Sequence, residues 1–193
     1  MYSQEKTILG FLSILLITSL SLSITGYVGR HSTLVAQEGG TYTEAIVGQP
    51  RYINPILASS NDADMDLTKV VYSSLFKLGS DLSLQNDLAT SYETSSDGKV
   101  YTIHMRDDAT WHDGNKVTAD DVIFTIESIQ LKDYNSPIAP TFQGVTVQKV
   151  DDTTVRFTLQ KTAYAPFISS LTVGIVPKHV WENIPAKTAG FAE

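Results

Sequence analysis

The stretch VYTIHMRDDATWHDGNKVTADDVIFTIE, Val100 to Glu127, decides the fold because it sets strand, turn and capped-helix signals in one unbroken run. Val100 to Met105 alternates, with Tyr101, Ile103 and Met105 on one side and Thr102 and His104 on the other, the period of a half-buried strand. Asp113-Gly114 supplies turn chemistry. Thr118 stands at a helix N-cap, and Asp121 takes the capping-box position as a shorter substitute for Glu, with Asp120 beside it in the first turn. Val122, Ile126 and Ile129 then recur at helical spacing. Almost nothing in the run points to catalysis.

Working outward, Tyr92 to Arg106 predicts a hairpin, because two β-rich runs flank Ser95-Ser96-Asp97-Gly98 and Asp-Gly supplies the positive φ that a tight turn needs. A second pair is expected at Val145 to Val150 and Thr153 to Leu159, with Asp151-Asp152 as its turn. Asp64 to Phe76 places Leu67, Val70, Val71 and Leu75 three and four apart, as an amphipathic helix would, with Gly79 shortly past its end. Thr41 to Val47 reads as a first strand, and Pro50 and Pro55 bracket a loop. After Pro166 the chain is apolar through Val176, Pro177 interrupts, and Lys178 to Asn183 begins a helix. No internal repeat or low-complexity tract occurs. The mixed order of strands and helices predicts an α/β, or mixed α+β, domain with a largely antiparallel sheet.

The 193 residues suffice for one ordinary domain after an apolar start. Thr7 to Val28 carries no charge, follows Lys6 and precedes Arg30. At about 20 residues such a segment can cross a bilayer. A cleaved secretory signal and a retained anchor compete for it; both send the remainder out of the cytoplasm, and the length favours the anchor. His31 to Gly40 is polar and ends in Gly39-Gly40, a tether between that segment and the folded part. Without Met1 to Arg30, 12 basic and 20 acidic residues remain, a formal charge of −8. No basic stripe interleaves with aromatics, so nucleic acid is not an expected partner. The sequence holds no Cys, which removes disulfides and thiolate metal sites.

Candidate chemistry resolves mostly into structure. His112-Asp113 suggests a base and its orienting carboxylate, but adjacent side chains rarely face each other, and Asp113 is better placed to bond backbone amides in its turn. His31, His104 and His179 are scattered, with no metal-ligand spacing. Asp107-Asp108 and Asp120-Asp121 could pass for the carboxylates of a glycosidase; the second pair is explained by a helix macrodipole. Asn61, Asp62, Asp64 and Asp66 alternate as calcium ligands might, yet lack the Gly and terminal Glu of an EF-hand loop, and a solvated helix start is the better reading. Trp111 and Trp181 read as core anchors. No nucleophile elbow, phosphate loop or dinucleotide fingerprint is present.

The run Ala109-x-Trp111-His112-Asp113-Gly114 followed by Val117-Thr118-Ala119-Asp120-Asp121-Val122-Ile123-Phe124 resembles the signature of bacterial extracellular solute-binding proteins of family 5, the peptide and nickel receptors of ABC importers. Ile53-Asn54-Pro55, Leu75-Phe76 before Leu88-Ala89-Thr90-Ser91-Tyr92, and Ile175-Val176-Pro177-Lys178-His179-Val180-Trp181 follow in the expected order, so that the resemblance covers roughly Gly39 to Glu182. It implies the first lobe of a two-lobed periplasmic-binding-protein-like fold with a small inserted domain of antiparallel strands and helices. Residues 1–38 would be anchor or signal plus tether, 39–77 the start of the larger domain, 78–170 the inserted domain, and 171–193 the return to the larger one. It also implies ligand contacts from Ala58, Ser59, Ser60 and Asn61 after the Asn-Pro motif, and from Ile138 in Ser136-Pro137-Ile138. The expected function is capture of peptides or a similar small solute for an ABC permease, without catalysis, cofactor or metal. Relatives are often tethered by a lipid on a Cys after the signal, which this sequence does not have. Two rivals stand beside this expectation: a membrane-anchored interaction module without transport role, and a hydrolase using the acidic pairs.

Overall fold

A computed structural model describes residues 2–31, 39–41, 43–160, 167–186 and 188. Residues 32–38 of the expected tether, Tyr42 of the expected first strand and Pro166 lie outside them. Residues 1–44 and 45–193 form two separate units.

In the first unit, Tyr2–His31 is one helix, α1. Ile8–Tyr27 supplies 20 residues long and apolar enough to cross a membrane. Its hydroxyls turn back on their own helix: Ser13 donates to the Leu9 carbonyl at 2.9 Å, Thr18 to Ile14 at 3.1 Å and Thr25 to Ser21 at 2.9 Å. That leaves those polar side chains satisfied in a medium without water.

The second unit begins differently from expectation. Among the described residues of Thr41 to Val47 no strand forms. Ile46 is 39% and Val47 96% exposed, and a run without a ladder partner has neither the hydrogen bonds nor the burial of a strand. Helix α2 spans Asp62–Val71, capped by Asn61, whose side-chain oxygen accepts from the Ala63 and Asp64 amides. It is shorter than the apolar spacing predicts. Ala63, Asp64 and Thr68 are buried, whereas Val70 is 85% and Val71 42% exposed. The reason is tertiary: Ser73, Ser74 and Leu75 give their carbonyls to the amides of Ile175, Leu88 and Ala89 at 2.8, 2.9 and 3.0 Å, which pulls the chain straight after Tyr72. Leu75 and Phe76 are therefore buried from extended chain, where β1 (Phe76–Leu78) pairs antiparallel with β2 (Leu84–Asn86).

Both predicted strand pairs form. Strands β3 (Ala89–Thr94), β4 (Val100–Met105), β5 (Val145–Asp151) and β6 (Thr154–Leu159) make an antiparallel sheet in the order β3-β4-β6-β5. Gly98 takes φ +67° in the β3-β4 turn, as the Asp-Gly signal requires. Tyr101 lies opposite Phe157 and Ile103 opposite Val155, so the alternating apolar sets meet on one face. Helix α3 (Ala119–Gln130) adds Val122, Ile126 and Ile129, all 0% exposed, to the same core. Short helices α4 (Ala139–Phe142) and α5 (Phe167–Ser170) follow. The Phe167 ring lies 5.2 Å from Tyr101, 5.6 Å from Phe157 and 6.5 Å from Phe142, centroid to centroid. Burying each such ring contributes about 1.5–3 kcal/mol.

Helix α6 (Lys178–Trp181) closes the unit, and its attachment explains the deciding stretch. Asp121, 4% exposed, closes the capping box of α3. Its Oδ2 accepts from the Thr118 amide at 2.9 Å and from the Trp111 indole N–H at 3.3 Å, while Oδ1 accepts from the Lys178 amide at 2.8 Å. One turn on, the Thr125 hydroxyl donates to the Asp121 carbonyl at 2.7 Å and accepts from the Val176 amide at 3.0 Å. Asp121→Ala strips a buried acceptor from four donors at once, the Thr118 hydroxyl at 3.4 Å included, and is expected to cost about 3 kcal/mol. Asp121→Asn keeps the shape but turns an NH2 toward the donors and is expected to lose about 2 kcal/mol. Urea unfolding of both variants checks this; wild-type midpoints would contradict it.

Candidate ligand-binding groove

The site is built outward from Asn54-Pro55. Asn54 is 0% exposed; its side-chain oxygen accepts from the Ile56 amide at 3.0 Å and its carbonyl from the Leu57 and Ala58 amides at 3.0 Å. This Asx-type turn launches the single helical turn Ala58–Ser60. The buried Ser136 hydroxyl donates to the Ile56 carbonyl at 2.6 Å, across 80 residues of sequence, and so brings the loop holding Ile138 beside the Asn-Pro turn. Asn135, in left-handed backbone at φ +47°, sets the approach of that loop. On another side Gly174 bridges to Ser74. A Cβ on Gly174 would stand 2.9 Å from both Pro55 Cγ and Tyr72 Cβ, so glycine is what lets these segments close up.

Between them lies a cavity of about 720 Å3, within the size range of small-ligand sites. Pro55, Ala58 and Ser59 line one wall, Ile138 and Thr141 another, and Thr172 to Gly174 a third. Met65, Thr68 and Lys69 of α2 and its C-cap Tyr72 complete it with Lys77 and Asp87. Lys77 Nζ lies 3.6 Å from Asp87, which also accepts from the Ser74 amide at 3.0 Å. Burial pushes the Tyr72 phenol up from its ordinary pKa, and its hydroxyl donates to the Ile53 carbonyl at 3.4 Å.

Of the five residues singled out from sequence, the structure gathers Ala58, Ser59 and Ile138 around this cavity. Ala58 is 3% exposed and offers mainly backbone. Ser60 is exposed and off the lining. Asn61 is committed to the helix: besides its capping bonds, its amide nitrogen donates to the Gln49 carbonyl at 3.0 Å. Sequence reasoning misses the α2 wall, although Met65, Thr68, Lys69 and Tyr72 stand at i, i+3, i+4 and i+7 and so share one helix face.

The other candidate chemistry separates. Asp113 bonds the Asn115 amide at 3.0 Å, as its turn predicts, but its imidazole partner is His179, 66 residues away, whose Nε2 lies 2.6 Å from Oδ2, and not the adjacent His112. Asp113 and His179 have no hydroxyl or thiol among their described partners. Asp120 pairs with Lys149 at 2.7 Å, and Asp108 with Arg106. Asp64 is buried rather than solvated, with Oδ1 taking the Arg51 amide at 2.6 Å, so the Asn61–Asp66 run does not converge on a cation. Among the described residues no three His, Cys, Asp or Glu side chains cluster as metal ligands.

Residues 83–192, more than half of the chain, match the family described as bacterial extracellular solute-binding proteins, family 5 Middle. The chain belongs to this family. It is 30% identical over 190 residues to the oligopeptide-binding protein AppA of Bacillus subtilis, covering 94% of this chain and 35% of that one. The dipeptide-binding protein of Escherichia coli is 32% identical over 182 residues, covering 80% of this chain and 33% of the relative. Among solved structures, NikZ from Campylobacter jejuni in complex with Ni(L-His) superposes with a TM-score of 0.68 at 39% identity over 75% of this chain and 29% of its own. AppA from Bacillus subtilis in complex with a nonapeptide gives 0.68 at 31% identity over 74% and 29%. The chain thus spans about a third of the length of these relatives. Members of the family are solute-binding proteins and not enzymes, and they are extracellular or periplasmic.

Two measurements test the geometry. Gly174→Ala forces Pro55 and Tyr72 apart and is expected to lower stability by about 1–3 kcal/mol in chemical denaturation. His179 and then the Asn115 amide hold Asp113 down to about 2 from an ordinary 3.8. Its contribution is therefore complete above about pH 4 and fades as the pH falls toward 2. The stability gap between wild type and Asp113→Asn should be open at pH 5–7, narrow between pH 4 and 2 and close near pH 2; a gap independent of pH would contradict the pairing.

Proposed function

We propose that this chain is the first-lobe part of the extracytoplasmic substrate-binding component of an ABC importer, capturing peptides or a similar small solute for delivery to a membrane permease. The observation that carries the reading is the cavity formed where the Asn54-Pro55 turn, the loop with Ile138 and the α2 face converge. Ala58 and Ser59 are small enough to let backbone groups approach an extended main chain, so hydrogen bonding to the ligand backbone supplies affinity with little demand on side-chain identity. Ile138 and Tyr72 add apolar surface. In this reading, a second lobe closes over the ligand, contacts made only in the shut form stabilise it, and no bond is made or broken. We place residues 39–77 and 171–193 in the larger domain of the lobe and 78–170 in the inserted one, and α1 as a retained membrane anchor.

The relatives named as peptide-binding support this, as does the family's extracellular or periplasmic setting. Native mass spectrometry of the full-length protein purified without denaturation is expected to find peptide bound, and added peptide should raise the melting temperature as ligand exceeds Kd. Ser59→Trp fills the cavity mouth and is expected to abolish that rise while leaving the ligand-free melting temperature within about 2 °C. Absence of bound solute together with no response to a mixed peptide pool would overturn the proposal. Carbonate extraction of the expressing cells should leave the protein in the membrane pellet with its N-terminal segment intact; recovery as a processed soluble form would refute the anchor.

A further inference from the structure

We infer that the groove selects solutes carrying an anionic group, with Lys69 as the counter-charge that reads it. The inference rests on the groove being the ligand site. Three charged side chains line the cavity, Lys69, Lys77 and Asp87. Two of them answer each other: Asp87 lies 3.6 Å from Lys77 Nζ and holds the Ser74 amide at 3.0 Å, so neither offers a free charge to a ligand. Lys69 is different. Among the described residues no carboxylate lies within ion-pairing distance of it. The groove therefore presents one unbalanced positive charge on a chain whose formal charge is −7.

The surroundings make that charge count. Lys69 stands on α2 between Met65 and Tyr72, an exposed residue at the cavity lining, where a long cationic side chain can lay its stem on apolar neighbours and keep its ammonium accessible to a ligand. Of the hydroxyls in the lining, those of Thr68, Tyr72, Ser74 and Thr172 donate to backbone carbonyls, which leaves Ser59, Thr141 and Ser170 to donate to an anion without adding charge. An incoming carboxylate thus meets a cation and neutral donors and no competing carboxylate except Asp87, already neutralised. A cationic ligand group would meet only repulsion from Lys69. An ion pair at a partly exposed site is worth about two- to fivefold in affinity, and lid closure that removes water raises this toward tenfold.

The test uses the full-length protein and pentapeptides of alanine carrying one Glu, Gln or Lys at each position in turn, with free or amidated C-termini, measured by isothermal titration. Expected in wild type is three- to tenfold tighter binding of an anionic peptide than of its neutral counterpart. The Glu and Gln arms assign the effect to a side-chain carboxylate, the acid and amide arms to the terminal one. Lys69→Met should bring the Kd of the anionic peptide to within twofold of its neutral counterpart's, and Lys69→Arg should keep the preference. Anionic preference that survives Lys69→Met, or equal binding of Glu and Gln peptides with free and amidated ends alike, overturns the assignment of Lys69 while leaving peptide capture intact. Failure of every peptide, neutral ones included, would bring down the binding reading and this inference with it.

Discussion

Asp121 accepts four donors drawn from three separate stretches of chain: the Trp111 indole, the Thr118 amide and hydroxyl, and the Lys178 amide. A carboxylate at the start of a helix is favoured by the exposed amides of the first turn, and burying it is tolerable because its oxygens are occupied by donors. What it secures is larger than one helix end. With Thr125 holding the Val176 amide, α3 clamps the returning segment Ile175 to Lys178. The residues just before that segment, Thr172 to Gly174, are the ones that wall the groove. The shape of the cavity therefore depends on a side chain that never faces it.

The groove follows the same logic of separation between holding and binding. Asn54, Ser136 and Gly174 hold: their partners are backbone groups or close-packed neighbours, and each fixes how two segments meet. Ala58, Ser59, Ile138 and the α2 face line the cavity between them. Small and hydroxyl-bearing residues are suited to cargo whose constant feature is its main chain, since main-chain hydrogen bonds are indifferent to side-chain identity.

The assignment of His179 to Asp113 shows how proximity in sequence misleads about chemistry. His112 is adjacent to Asp113, yet the imidazole that meets the carboxylate is that of His179, which reaches it from α6 because the Asp121 clamp sets that helix against the Trp111 turn. The acidic pairs that resemble catalytic carboxylates behave likewise: Asp120 meets a lysine, Asp108 an arginine and Asp121 a set of amides.

The sheet, both hairpins and α3 are legible in the amino-acid order, because strand alternation, the Asp97-Gly98 and Asp151-Asp152 turns and a capping box act within a few residues and agree with one another. That order also carried the match to the family. Only the tertiary structure decided where α2 ends, since the apolar spacing through Leu75 and Phe76 favoured more helix and lost to backbone bonds with segments 88–89 and 175. It alone committed Asn61 to capping and not to the cavity, buried Asp64, and brought Lys69 and Tyr72 to the cavity lining. Local signals are written in neighbouring residues, whereas a groove is made by segments more than 100 residues apart, and which face of a helix meets them depends on partners that its own sequence does not name.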